Sequence, residues 1–77
     1  MERSFLHVFQ LTIEGLGEPR LFRMPYERED VAEATDACAK YVARQEDNFL
    51  PIGEAEAVRA NKVLQVTHIS VSPYIGG

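Results

Sequence analysis

Apolar residues recur at helical spacing over one long stretch of this chain, residues 28–46, and nearly everything around it reads as strand or turn. Val31, Ala34, Cys38, Tyr41 and Val42 fall on one stripe at 100° per residue, with Glu29, Glu33, Asp36 and Lys40 opposite. Asp30-x-x-Glu33 has the spacing of a capping box, with Asp as the capping residue. Acidic residues crowd the first turn and Arg44 sits in the last, as the helix dipole favours. Asp36 and Lys40 are placed for an i,i+4 ion pair, and Asn48 is the expected terminator in the left-handed region. A single long amphipathic helix must bury its stripe against something, and only strands are on offer.

The strands come on both sides. Residues 5–14 alternate, so Phe5, His7, Phe9, Leu11 and Ile13 share one face, and Leu6, Val8, Gln10, Thr12 and Glu14 share the other. The turn Gly15-Leu16-Gly17-Glu18-Pro19 leads to a second strand at 20–26, where Phe22, Met24 and Tyr26 alternate with Leu21, Arg23 and Pro25. Pro25 has no N–H to give a ladder, which places that strand at an edge. Residues 62–72 form the last strand. Strict alternation there turns Val63, Gln65, Thr67, Ile69 and Val71 one way and Leu64, Val66, His68, Ser70 and Ser72 the other. Ser72-Pro73 is expected to end it. The segment 54–60 is open to a short fourth strand or a helical turn, and its alanines and glutamates favour the turn.

These elements predict an α+β fold: a three-stranded antiparallel sheet in the order 2-1-3, with the long helix packed on one face. A fourth strand at 54–60 would give a ββαββ, ubiquitin-like arrangement. At 77 residues, positions 1–77 make one domain. A core this small is marginal on its own and gains from self-association or a partner.

Several functions are disfavoured. The formal net charge of −4, with eight scattered basic residues, has the wrong sign for a phosphate binder, so no nucleic-acid partner is expected. No apolar run is long enough for a bilayer, and the N-terminus does not read as a signal peptide, so no membrane partner is expected and a cytoplasmic location is the default. The lone Cys38 forms no internal disulfide and falls on the buried stripe, where a cysteine behaves as a small apolar residue. Gly15-Leu16-Gly17 precedes a strand rather than a helix, which is the wrong context for a phosphate loop. His7 and His68 lie on strands expected to be neighbours, but a metal site needs a third ligand. No catalytic residue, metal ligand or cofactor site is expected, and the chain is expected not to be an enzyme.

Two features remain. One is the sheet face away from the helix, where Leu6, Val8, Leu64, Val66 and His68 form the expected partner or dimer interface. Solvated sheet faces normally alternate cleanly, and an exposed apolar patch points to association. The expectation is therefore a small non-enzymatic interaction protein, a homodimer or a binder of a protein partner. Small acidic chains of this kind include phage or mobile-element inhibitors and regulators of host machinery, an analogy of class only. The other feature is the tail Ser-Pro-Tyr-Ile-Gly-Gly, which resembles the ends of sulfur-carrier proteins of the ubiquitin-like superfamily. That resemblance implies a carrier whose terminal carboxylate is activated, with Gly76 and Gly77 as the matching positions. Without side chains, such a tail can thread a narrow active site.

Overall fold

The structure, a computed structural model, describes residues 4–53 and 55–74. In chain order it has β1 (Ser4–Ile13), β2 (Arg20–Tyr26), α1 (Val31–Gln45), β3 (Phe49–Pro51), β4 (Ala57–Arg59), a single 3₁₀ turn (Ala60–Lys62) and β5 (Val63–Tyr74). β1, β2 and β5 make a three-stranded sheet in the order β2-β1-β5, with β1 antiparallel to both neighbours. This is the expected α+β architecture, with β5 as the third strand of the 2-1-3 order.

The β1–β2 hairpin turns at Gly15, whose φ of +86° needs a residue without a Cβ. The register sets Phe9 opposite Phe22 and Leu6 opposite Pro25. Pro25 thus sits on an edge strand, as its missing donor requires.

Asp30 caps α1, and its side chain accepts from the Glu33 backbone N–H at 2.9 Å. The helix therefore begins at Val31, three residues later than position 28. Its Asp36–Lys40 pair forms at 2.9 Å on the solvent side. The end differs from expectation. Glu46, not Asn48, takes the positive φ (46°), and the Asn48 backbone N–H donates to the Gln45 carbonyl at 2.7 Å. Of the predicted stripe, Ala34, Cys38 and Val42 are buried, whereas Val31 and Tyr41 stay exposed.

Over residues 55–59 the favoured helical turn does not form. Residues 57–59 are strand β4, paired antiparallel with β3, and the helical turn comes later, at 60–62. This small second sheet does not extend the main one. It closes the core on the helix side, because Leu50, Ile52 and Ala60 are buried in one cluster with Phe9, Leu11, Ile13, Phe22, Ala34, Cys38 and Val42. The 3₁₀ turn is tied to the end of α1, with the Asn61 N–H donating to the Glu46 carbonyl at 2.9 Å.

β5 departs most from the sequence pattern. Its pairing with β1 slips twice, between Val8 and Phe9 and between Thr12 and Ile13. Ser70 faces Val8 while His68 faces Phe9, which leaves Ile69 as an extra residue; Gln65 faces Thr12 while Val63 faces Ile13, which leaves Leu64 extra. Each bulge reverses the alternation once. Val63, Val66, His68 and Val71 consequently face the helix, and Gln65, Thr67, Ser70 and Ser72 face away. Pro73 does not end the strand: it sits opposite Phe5 on this second edge, where a missing donor is tolerated.

Candidate functional site

The expected interface residues separate into three places. Leu6 and Val8 lie on the outer face of β1, half-buried. Val66 and His68 do not join them. Val66 pairs with Leu11 and packs against the core, and His68 pairs with Phe9. Leu64 stands in a bulge at the sheet edge, 66% exposed. The physical reason is the pair of bulges, which puts Val66 and His68 on the opposite face from the one that strict alternation assigns. Gly76 and Gly77 lie outside the described residues.

On the inner side, His68 meets His7. His7 is fully buried, the one buried polar side chain among the described residues. Its Nε2 lies 2.8 Å from the Arg28 carbonyl and its Nδ1 lies 3.0 Å from His68 Nε2. A carbonyl only accepts, so His7 Nε2 carries a proton. In neutral His7 the Nδ1 is then the acceptor, and His68 Nε2–H donates to it. This chain of bonds runs from the β5 edge through the middle of the sheet to the β2–α1 connection. It anchors the segment just before the Asp30 cap.

The surroundings are aromatic. His7 stacks on Phe9 at 6.2 Å and meets Tyr26 edge-on at 6.0 Å, and His68 meets Phe9 edge-on at 5.2 Å. The Tyr26 hydroxyl donates to Glu33 Oε1 at 3.3 Å, and Arg28 pairs with Glu33 Oε2 at 3.4 Å. Desolvation and then the Glu33 carboxylate hold the Tyr26 hydroxyl above its ordinary value. Desolvation, followed by proximity to His7, holds the His68 pKa below the ordinary histidine value. The two rings bind each other, and among the described residues no group of three metal-ligating side chains assembles. Cys38 is fully buried, and burial pushes its thiol up to about 11, so it is protonated near neutrality and is no nucleophile.

The outer face is open. Leu6, Val8 and Gln10 run up its centre on β1. On β2, Leu21 (46% exposed), Arg23 and Pro25 flank them, with Arg23 directly opposite Val8. On β5 the flank is polar: Gln65, Thr67, Ser70 and Ser72. At the β2 margin Leu21 and Arg23 share a groove with Pro51, Ile52 and Gly53, and among the described residues Arg23 makes no ion pair. No helix among them is long and apolar enough to cross a membrane.

The sequence placed His7 and His68 on adjacent strands. It did not reveal the bond between them, because that contact depends on the bulge at Ile69. One signal was present: His7 shares a face with Phe9, Leu11 and Ile13, so it had to be buried and therefore bonded. Compared with protein-family models, curated proteins and solved structures, the chain matches none. The fold defines its class, an α+β scaffold with a bonded histidine pair on the inner side of its main sheet.

Proposed function

We propose that this chain is a non-enzymatic interaction protein that holds a protein partner against the outer face of its sheet. The observation that supports this is the patch of Leu6, Val8, Leu21 and Pro25 on the outer face, with Arg23, which makes no ion pair among the described residues, at its centre and serine, threonine and glutamine along one side. An apolar centre with a polar rim is the usual anatomy of a protein–protein contact. The free guanidinium favours a partner surface that sets a carboxylate within its apolar patch, since Arg forms bidentate pairs with carboxylates.

The test is a Leu21→Glu, Arg23→Glu double variant. Both residues are exposed on an edge strand, so the fold should survive, as far-UV circular dichroism will verify. Affinity for the partner, measured with both components purified, should drop roughly 30-fold or more, the cost of losing a central anchor and reversing a paired charge. Undiminished binding by the folded variant would overturn the assignment.

A further inference from the structure

The two edges of the main sheet differ. β2 is guarded: it carries Arg20, Arg23 and Pro25, and the segment after β3 lies alongside it, with Arg20 bonded to Glu56 at 3.0 Å. A groove lined by Leu21, Phe22, Pro51 and Ile52 marks that apposition. Charges, proline and a covering loop are the usual protections of a strand edge. β5 has none of these from Val63 to Ser72. It is the longest strand, with 12 residues and no charged side chain, in a chain of net charge −4. Its pairing partner among the described residues is β1 alone, so its other edge is open.

The bulges sharpen this contrast. Bulges often protect an edge by twisting it away, but here the two extra residues are both large and apolar. Leu64 is 66% exposed and Ile69 is 49% exposed. Beside this edge, on the helix side, a groove of about 460 Å³ runs between α1 and β5, with Ala39, Ala43, Val63 and Val66 in its walls and Leu64 at its rim.

We propose that the β5 edge, together with the α1–β5 groove, is a self-association surface that takes β5 of a second copy of this chain, antiparallel about a two-fold axis. Two arguments select a second copy. The edge strand carries no charged side chain along its whole length in an acidic protein, so two copies meet there with little repulsion. An antiparallel contact of an edge with itself is also isologous: it closes both open edges at once and leaves guarded β2 strands outermost. Size explains the groove's part. A standard interface removes about 800 Å² per partner, roughly 15% of this protein's 5424 Å². One strand edge falls short of that area, and the groove beside it, taken up by the exposed edge side chains of the partner copy, supplies the rest. This assignment is independent of the outer face, which stays exposed in such a dimer.

Sedimentation equilibrium on the full chain tests it, with a Leu64→Lys, Ile69→Lys variant on the edge and the Leu21→Glu, Arg23→Glu variant on the outer face. The wild type should rise from 8.7 kDa towards twice that mass through the micromolar range. The edge variant, with both changes at exposed sites, should stay monomeric, a loss of roughly a hundredfold or more in association. The outer-face variant should dimerise as the wild type does. Amide exchange at residues 64–70 should slow with concentration in the wild type alone. A wild type monomeric at all concentrations, an edge variant that still dimerises, or an edge that binds only a different protein would each overturn the proposal. Failure of partner binding on the outer face would leave these masses unchanged.

Discussion

Replacing His7 by alanine removes the polar centre of the core, and the structure sets the size of the effect. His7 is fully buried and makes two hydrogen bonds, to the Arg28 carbonyl at 2.8 Å and to His68 at 3.0 Å. Losing the ring leaves a cavity beside Phe9 and Tyr26, worth about 2 kcal/mol or more by analogy with other large-to-small core changes. The Arg28 carbonyl loses its buried donor, which adds about 1–2 kcal/mol. His68→Ala differs: it removes a half-buried ring and one bond, and water can reach the vacated site, so the cost is about 1 kcal/mol. The structure thus predicts a loss of about 3–4 kcal/mol for His7→Ala. A domain of this size holds about 4–12 kcal/mol in all. The double variant should cost less than the two single losses together by about 1 kcal/mol, because the mutual bond can be lost only once. Urea unfolding checks this through midpoints at a constant slope. If His7→Ala costs no more than His68→Ala, or if the two losses simply add, the bonded pair does not anchor the β2–α1 connection.

Two further predictions follow from local features. His68 holds its pKa below the ordinary histidine value in the fold, so as pH falls the unfolded chain takes up that proton first. Stability from this group is full above about pH 6.5, declines below it, and levels off once the folded ring also protonates; the pH dependence of the urea midpoint should lose this component in His68→Gln. Glu46 sits at a φ of 46° with a Cβ that disfavours it, so Glu46→Gly should gain about 0.5–1 kcal/mol and raise Tm by about 3–6 °C, whereas Glu46→Ala should gain nothing.

Local signals carried most of the fold. The Asp30-x-x-Glu33 spacing marked the cap of α1, although the helix was expected from 28 and starts at Val31, and Pro25 correctly marked an edge. Alternation in β1 held over its whole length, since Phe9, Leu11 and Ile13 are all buried. Three features were not legible, each for a physical reason. β4 has only three residues, and its extended state depends on pairing with β3 across the Gly53 turn rather than on its own propensity. Glu46 takes the positive φ because the chain must reverse at once for the Asn61 N–H to reach its carbonyl, a tertiary requirement. The bulges in β5 insert residues that pair with nothing opposite, and a period of two cannot register an insertion.

That last point decides how the candidate surfaces are arranged. An unbroken β5 would set Leu64 and Val66 beside Leu6 and Val8, giving one apolar face shared by all three strands and a single surface for any partner. With bulges at Leu64 and Ile69, Val66 and His68 turn inward and Gln65, Thr67, Ser70 and Ser72 turn outward. The apolar part of the outer face is then confined to β1 and β2, around Leu6, Val8, Leu21 and Pro25. The remaining exposed apolar residues of β5 lie at the opposite edge. A partner centred on Arg23 and a second copy joined at β5 therefore approach from different sides of the sheet, and neither excludes the other. The same displacement that brings His68 to His7 separates the two surfaces: the slip at Ile69 seats the inner hydrogen bond and exposes the edge residue in one step. Removing Ile69 from the chain would leave Ser70 opposite Val8 and His68 opposite Phe9 with no extra residue between them, so His68 still faces inward; the His7–His68 bond and its share of the stability should therefore survive, while dimer mass falls through the lost edge contact.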